Sequence, residues 1–146
     1  MDSVNAASSI GARSYIGTGG AGTSGTITLT SANLTAAGCA IPLLNASTAA
    51  ALAAVDVHGS NNGISTTPSL SLTPSAANEC ALLAAFTPAI SFTAIPGSGW
   101  AHIPFYYTGA YCADVSLAVA PASGVALANT WTNASTGWVT LGMIVK

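Results

Sequence analysis

Short runs of hydrophobic residues, separated by polar and turn-forming residues, follow one another along most of the chain. The clearest pair lies in residues 78–100, where an apolar run over 80–86 and a second over 90–95 are each followed by a turn that contains proline. An uninterrupted apolar run of this length, bounded by turn residues, is typical of a strand buried on both faces. The sequence therefore predicts a hairpin of two strands here, the first of which is covered on both sides.

Elsewhere apolar and polar residues alternate one by one, as in T-I-T-L-T at 26–30 and S-L-S-L-T at 69–73. This period of two predicts strands with one face in the core and the other in solvent. Three times an alternating segment is followed by a turn of small residues and a more apolar segment, over 26–40, 69–81 and 128–144. We interpret the repeat as a β-hairpin unit, and sheets built from such units stack into sandwiches.

Two segments between these strands carry other local signals. Residues 55–58 alternate, but the following G-S-N-N-G at 59–63 predicts a turn, because glycine and asparagine adopt the backbone conformations that tight turns require. Residues 49–55 are rich in alanine and follow N-A-S-T at 45–48, a sequence suited to capping a helix. The single helix that the sequence favours therefore spans 49–55.

Together these signals predict an all-β fold, an antiparallel β-sandwich of jelly-roll or Greek-key (Ig-like) type. Short strands recur about every ten residues, including 101–111, 114–120 and 138–145, as sandwiches require. The 146 residues fit one domain, and we assign it to 26–146. Residues 1–25, with five glycines in the last nine positions, predict an extended arm that docks on a neighbouring subunit or on the chain's own domain.

Charged residues make up 4% of the chain and hydrophobic residues 51%. Nucleic-acid binding draws its affinity from several Lys and Arg residues, and the two basic residues, Arg13 and Lys146, lie near opposite ends of the chain. We therefore predict no nucleic-acid or membrane partner, and no apolar run reaches the ~18 residues of a spanning helix. A surface with few charges is poorly protected against association, which favours an assembly subunit, such as a homotrimer, over a robust secreted domain.

The N-terminal residues M-D-S-V-N lack the basic region and apolar core of a signal peptide. We therefore expect synthesis in the cytosol without export by a cleaved signal. The cysteines Cys39, Cys80 and Cys112 are odd in number, which argues against a disulfide framework. Cys39 and Cys80 lie among apolar residues, and we interpret them as small buried side chains.

Groups for acid–base chemistry are scarce. Asp56 and His58 are two apart on a predicted strand and would share a face, and His102 with Asp114 could complete a metal site on paper. The spacing of these four residues matches no local zinc pattern, and a solvated pair is the simpler interpretation of the first two. Glu79 is expected at a turn or sheet edge. Since no G-x-S-x-G sequence or phosphate-binding loop is present either, we predict no enzyme, no cofactor and no metal.

Aromatic residues are the feature with a plausible binding role, because exposed rings stack on sugars or fill pockets on other proteins. Large residues of a sandwich more often form its core, and we assign Trp100 and Phe105 to the core, across from Trp131 and Trp138. For the tyrosines of the same segment, the sequence does not decide between a core position and a binding role. The candidate partner-binding residues are three on the arm and three in the aromatic segment: Arg13, Tyr15, Ile16, Tyr106, Tyr107 and Tyr111.

Three motifs in the later part of the chain resemble a known group of proteins. They are T-T-P-S-L-S-L-T-P-S-A-A-N-E at 66–79, S-F-T-A-I-P-G-S-G-W at 91–100 and T-W-T-N-A-S-T-G-W-V-T-L-G-M at 130–143. From Gly63 onward the chain is similar to small β-sandwich domains of bacteriophage virion proteins and of bacterial surface or secreted proteins. Among these, the capsid decoration (cement) proteins of phages are the nearest kind.

This resemblance implies a structural protein without shared catalytic residues. It would be made in the host cytoplasm, lie on the exterior of the virion capsid and bind the major capsid protein. The alternative is a glycan-binding or adhesin module of a phage fibre or a bacterial surface, which would use Tyr106, Tyr107 and Tyr111.

Overall fold

The computed structural model describes residues 3–6, 10–13, 54–88, 92–95, 99–108, 111–120, 122–133 and 136–146. These residues form ten strands and no helix. The strands are β1 (Ser3–Ala6), β2 (Ile10–Arg13), β3 (Val55–Ser65), β4 (Ser69–Leu72), β5 (Cys80–Thr87), β6 (Phe92–Ile95), β7 (Ala101–Thr108), β8 (Tyr111–Val119), β9 (Leu127–Asn133) and β10 (Thr136–Val145). The predicted all-β fold with antiparallel sheets is confirmed.

The strands pair in a nested order. β3 pairs with β10, β4 with β9 and β5 with β8, all antiparallel. The result is a five-stranded sheet in the order β3-β10-β5-β8-β7 and a three-stranded sheet in the order β4-β9-β6. Such nesting is that of a jelly roll, so the strand order agrees with the first of the two sandwich types that the sequence predicts. It departs from a regular jelly roll at β7, which extends the five-stranded sheet beside β8 instead of pairing with β6.

The core lies between the five-stranded and the three-stranded sheet. Trp131 is fully buried and Trp138 is 5% exposed, which confirms their predicted core positions, while Trp100 is half-buried against the core. Each fully buried leucine or isoleucine stabilises the fold by about 1.5 to 3 kcal/mol. The central cluster consists of Leu70, Leu72, Ala81, Leu83, Ala85, Trp131 and Ile144.

The opposite face of the five-stranded sheet is apolar and covered along β10. Gly142 and Ile144 of β10 face the core, so the odd-numbered residues of this strand point to the other side. Three of them, Val139, Leu141 and Val145, are nevertheless at most 4% exposed. β1 and β2 pair with each other and lie against β10 and β3. The predicted two-sided burial of 80–86 agrees with this, because β5 alternates between buried and half-buried residues along its whole length.

The segment 78–100 contains two strands, as expected, but they do not form a hairpin. β5 belongs to the five-stranded sheet and β6 to the three-stranded sheet. The repeated unit of an alternating and an apolar segment is likewise not a hairpin, because β4 and β5, and also β9 and β10, lie in different sheets. Each of these connections crosses the core, since the alternating strand needs one solvated face whereas the apolar strand needs cover on both.

The predicted turn at 59–63 is wrong. β3 runs without a break from Val55 to Ser65 and pairs with β10 through the whole G-S-N-N-G segment. The glycines allow close packing: a Cβ at Gly63 would lie 2.9 Å from Cζ2 of Trp138, and a Cβ at Gly59 would lie 3.0 Å from Cδ2 of Leu72. Glycine therefore serves here to admit large side chains of β10 and β4 close to the β3 backbone.

Several predicted segments lie partly or wholly outside the described residues. The predicted strands at 26–30 and 39–44 lie outside the described residues, as do the capping sequence at 45–48 and residues 49–53 of the predicted helix. The last residue of that helix, Val55, begins β3. Of the predicted arm, only β1 and β2 are described. Among the described residues there is no apolar helix of membrane-spanning length.

Candidate functional site

A cluster of polar side chains lies between the two sheets, where a sandwich normally holds only apolar groups. The strand register directs Asp114 and Ser116 of β8 toward the core, together with His102, which pairs with Ser116 from β7. Asn129 and Trp131 reach the same place from β9 in the other sheet. Asp114 is 8% exposed, and Ser116, Asn129 and Trp131 are at most 2% exposed. The cluster therefore joins the two sheets through their interior.

One carboxylate oxygen is the centre of this cluster. Oδ2 of Asp114 accepts hydrogen bonds from Nε1 of Trp131 at 2.6 Å and from Oγ of Ser116 at 3.2 Å, and Nδ1 of His102 lies 3.1 Å away. Nδ2 of Asn129 donates to Oγ of Ser116 at 2.7 Å. A buried carboxyl group is tolerated only when such partners surround it. Of the three groups at the carboxylate, Trp131 belongs to the opposite sheet, and Asn129 of that sheet joins the cluster through Ser116.

The arrangement of His102 argues against nucleophilic catalysis at Ser116. In a catalytic triad the nucleophile and the carboxylate contact opposite nitrogens of the imidazole ring. Here Oγ of Ser116, at 3.0 Å, and Oδ2 of Asp114 both contact Nδ1. Nε2 is buried and has no hydrogen-bond partner among the described residues, so none of their hydroxyl groups is held where this nitrogen could activate it.

A second cluster lies at the end of the sandwich where β3 begins and β10 ends. Asp56 accepts hydrogen bonds from the backbone N–H of Ser75 at 2.7 Å and from its Oγ at 2.5 Å, and Nζ of Lys146 lies 3.5 Å from Oδ1. The hydrogen bonds from Ser75 are the main reason why the pKa of Asp56 lies below its usual range, with smaller contributions from a hydrogen bond to the carboxyl group of Glu79 and from the charge of Lys146. The Asp56 side chain is 6% exposed.

Glu79 is a buried turn residue and not an exposed edge residue. It is 5% exposed, and its Oε2 accepts a hydrogen bond from the backbone N–H of Ala76 at 3.3 Å. Its backbone carbonyl accepts from Ala120 at 2.8 Å. The residue therefore ties the turn before β5 to the end of β8.

The hypothetical metal site of four residues is divided by the fold. Asp56 and His58 lie on β3 at one edge of the five-stranded sheet, whereas His102 lies on β7 at the other edge. Val55 pairs with Val145 and Val57 with Ile144, so Asp56 is the additional residue of a β-bulge, which breaks the alternation that would place it beside His58. In the part of the chain that the structure describes, no three His, Cys, Asp or Glu side chains could hold a metal ion together.

The predicted partner-binding residues fall in two separate places. Arg13 ends β2, and Tyr15 and Ile16 lie outside the described residues. The tyrosines come together along the backbone of the β7–β8 hairpin, where Thr108 pairs with Tyr111 and Tyr107 with Cys112. Tyr106 is the additional residue of a bulge in the same hairpin. The strand that carries it, β7, is the outer strand of the sheet.

Of the cysteines, Cys80 and Cys112 lie within the described strands. Cys80 is half-buried and free, and burial raises the pKa of its thiol, which agrees in part with its interpretation as a small buried side chain.

A search among protein families, curated proteins and solved structures finds no match to this chain. The function must therefore be argued from the two clusters, the exposed faces of the sheets and the composition.

The cluster around Asp114 is the part of the site that sequence reasoning missed. Its signal was present in the spacing: Asp114 and Ser116 are two apart on one strand, as are Asn129 and Trp131 on another. Such pairs share a face. The partnership between the pairs depends on which strands face each other across the core, and this requires the nested strand order.

Proposed function

We propose that the protein is a non-enzymatic structural protein of a virus particle, a phage capsid decoration or cement protein that binds the outer capsid surface and stabilises the shell. Its partner is the major capsid protein, and it acts as a homo-oligomer, with a trimer on a local three-fold axis as the expected form. It is made in the host cytoplasm and resides on the capsid exterior.

The observation that carries this proposal is the use of the acidic side chains. Asp56, Glu79 and Asp114 are the acids within the described residues, and each is largely buried and hydrogen-bonded to the protein's own backbone or side chains. General acid–base catalysis needs such groups within reach of a substrate. A chain that uses its few acids to hold its own fold is suited to a structural role.

The outer face of the three-stranded sheet is the surface that we assign to the capsid. The corresponding face of the five-stranded sheet has Val139 and Leu141 already buried by the chain itself. On the three-stranded sheet Ser71, Ala128 and Thr132 are exposed and point away from the core. Small uncharged side chains lose little hydration when two surfaces join, which favours an extended contact with a partner.

Stabilisation of the shell follows from mass action. A protein that binds the assembled capsid, and not the dissociated subunits, stabilises the assembled state by an amount that grows with its concentration relative to the dissociation constant. Jelly-roll domains occur in capsids and also in lectins, so the fold alone does not decide between these roles.

Co-sedimentation with shells of the major capsid protein from the same virus tests the proposal. We expect saturable binding and a higher temperature of shell disruption. Because few charges are available for the contact, binding should change little between about 0.05 and 1 M salt. Protein that stays in the supernatant at every salt concentration would contradict the proposal.

The arm provides a second test. Deletion of residues 1–25 should abolish attachment to the shell, if the arm also lies across neighbouring capsid subunits by strand addition. This deletion removes β1 and β2 from the apolar face near Leu141 as well. Substitutions to alanine of Arg13, Tyr15 and Ile16 are therefore the matched experiment, since they leave both strands in place. Each should weaken attachment without changing the unfolding midpoint.

A glycan-binding or adhesin role is the second candidate, and the tyrosine hairpin favours it. Tyr106, Tyr107 and Tyr111 share one end of the β7–β8 hairpin at a sheet edge, and aromatic rings stack on sugars. Substitution of these tyrosines by alanine should leave shell binding unchanged if the decoration role is correct. A wild-type protein that does not bind shells, and that is retained on a glycan array only while these tyrosines are present, would favour the adhesin.

A further inference from the structure

Within the described residues the sandwich has four outer strands, β3, β7, β4 and β6, and they differ in how they are protected against pairing with another chain. β4 and β6 have four residues each, and β7 contains Pro104 and the bulge at Tyr106. Short length, proline and bulges are common means by which edge strands avoid further pairing. β3 has eleven residues, and from Val57 to Ser65 it contains no proline, no bulge and no lysine, arginine or acidic residue. It is therefore the edge best able to accept a further strand.

The backbone of β3 presents hydrogen-bonding groups on the side away from β10. The N–H of Asn62 donates to the side-chain Oδ1 of Asn61 at 2.9 Å instead of to the strand beside it. In an antiparallel pair the direction of the backbone groups alternates from residue to residue. The groups of Ser60 and Ile64 therefore point outward with those of Asn62. All three residues are exposed, Ile64 to 68%.

We propose that this edge is an interface between two copies of the chain, in which β3 pairs with β3 of the second copy. The two strands would be antiparallel and related by a two-fold axis at Asn61, so that the two five-stranded sheets form one continuous sheet. Strand addition of this kind obtains its affinity from main-chain hydrogen bonds. Two-fold pairs are also the commonest closed form of a homo-oligomer.

The sequence of the edge is complementary to a second copy of itself. The segment G-S-N-N-G at 59–63 is nearly symmetrical about its central residue. The two-fold register places Gly59 of one copy opposite Gly63 of the other, where neither has a side chain that would hinder the approach. It also places Ser60 opposite Asn62, and side chains of these two types can hydrogen-bond across a pair of strands. A second copy therefore matches the edge at each of these positions.

The two flanking positions and the lack of charge agree with the same occupant. In this register Ile64 would lie opposite His58 of the second copy, which removes part of the most exposed large hydrophobic side chain of the described residues from water. Charged groups are the usual means of selecting a basic or an acidic partner. The segment from Val57 to Ser65 has no lysine, arginine or acidic residue, so it does not favour a charged peptide over its own copy.

This contact goes beyond the proposed function and does not depend on it. The face that we assign to the capsid belongs to the three-stranded sheet, whereas β3 is an edge of the five-stranded sheet. If the expected trimer forms on the capsid, pairing through β3 would join chains of neighbouring trimers. The free protein should therefore contain an even number of chains, as a dimer or as a pair of trimers.

Sedimentation equilibrium of the free protein over a range of concentrations tests the contact. We expect the mass to converge on an even multiple of the subunit mass. Asn62→Pro removes an outward N–H from each copy, takes no hydrogen bond from β10, and should weaken self-association at least about tenfold because the loss occurs twice. Asn62→Lys brings two like charges near the axis and should weaken it as well. A wild type that remains a monomer or a single trimer at every concentration overturns the proposal.

Ser71→Lys is the matched control for the charge. It adds the same group to the outer face of the three-stranded sheet and should leave the mass unchanged. If Ser71→Lys dissociates the protein and Asn62→Lys does not, the copies meet through the other sheet and the proposal is wrong.

Cysteine cross-linking tests the register. At the two-fold axis the Cα atoms of the two copies of residue 61 would lie about 4.5 Å apart, within the range that a disulfide spans. Oxidation of Asn61→Cys should therefore give a covalent dimer above the background of the wild type, which has the same native cysteines. Ile64→Cys is the control on the same strand, because its two copies would lie about 20 Å apart. Equal cross-linking of the two variants would show that the strands have no fixed pairing, contrary to the proposal.

A strand of the capsid protein is the alternative occupant of this edge. In that case the free wild type should be monomeric and Asn62→Pro should lose attachment to shells, a result that rejects the pairing of two copies. A wild type with an even number of chains, together with an Asn62→Pro variant that dissociates but still binds shells, supports the pairing.

Discussion

The two sheets of the sandwich use their outer faces in opposite ways. On β10 of the five-stranded sheet, the outward residues Val139 and Leu141 are at most 4% exposed. On the three-stranded sheet, the outward residues Ser71 of β4 and Thr132 of β9 are exposed. The five-stranded sheet along β10 is an inner layer with apolar residues on both sides, whereas the three-stranded sheet is an outer layer with a polar face.

This difference explains how a chain with so few charges folds in water. Serine and threonine, which are polar but uncharged, are concentrated on the outward face of the three-stranded sheet, where water can solvate them. The central strands of the larger sheet need no polar residue, because both of their faces are covered. The two layers are then joined across the core both by apolar packing and by the polar cluster around Asp114.

The largest effect should come from removing the acceptor that joins the two sheets. Asp114→Ala leaves the N–H of Trp131 and the hydroxyl of Ser116 without the shared acceptor and removes the contact with Nδ1 of His102. Each buried donor that loses its partner costs about 1 to 3 kcal/mol. Since at least two donors are affected, we expect the free energy of unfolding, from denaturant titration, to fall by about 3 to 5 kcal/mol.

Ser116→Ala is the control for this prediction. It removes the hydrogen bonds of one hydroxyl group from the same cluster and should cost less, about 1 to 3 kcal/mol. If Asp114→Ala costs no more than Ser116→Ala, then the carboxylate is not the centre of the join between the sheets.

The contrast between the outer faces can be tested by truncating one residue on each. Leu141→Ala removes a buried side chain from the outward face of β10 and should cost about 2 to 4 kcal/mol. Ser71→Ala, on the outward face of β4, should change the free energy of unfolding by less than about 0.5 kcal/mol. Two small values would mean that the face bearing Leu141 is open in solution, contrary to the layered arrangement.

The inner face of β10 gives a third, smaller effect with a control on the same strand. A Cβ added to Gly142 would contact Leu83 and would lie 2.8 Å from Cδ2 of Leu70 and 3.0 Å from Cδ1 of Leu72. Overpacking of this kind costs about 1 to 3 kcal/mol. A Cβ added to Gly137 meets nothing within 4 Å, so Gly137→Ala should be neutral or slightly stabilising. Equal effects of both substitutions on the denaturation midpoint would show that the sheets do not approach at Gly142.

The layer assignment of the strands could be predicted from the sequence. The alternation S-L-S-L over Ser69–Leu72 predicts one solvated face, and the continuous run over Cys80–Thr87 predicts two covered faces, and both predictions agree with the burial of β4 and β5. These signals are local, because the side chains of a strand report the environment of each face directly.

The partners of each strand could not be predicted in the same way. The repeated order of alternating and apolar segments suggests hairpins, but the nested pairing sends β4 and β5 to different sheets. The glycines of β3 suggest a turn, because the side chains they make room for are distant in sequence. The side chain nearest to Gly59 is that of Leu72, 13 residues further along the chain, and the one nearest to Gly63 is that of Trp138, 75 residues further along. Local turn chemistry and long-range packing use the same residue, and only the strand order distinguishes them.

The substitution Ser71→Lys tests the proposed contact with the capsid shell and should have the smallest effect on stability. Ser71→Lys adds a charge to the exposed outer face of the three-stranded sheet and should shift the free energy of unfolding by less than about 0.5 kcal/mol. If this face meets the capsid, the buried charge would lack a partner and shell binding should fall sharply. Asn62→Lys adds the same charge to an exposed position of β3 in the other sheet, and should leave binding unchanged. Binding lost in Asn62→Lys and retained in Ser71→Lys would assign the contact to the edge of the five-stranded sheet, because only there would the added charge be desolvated.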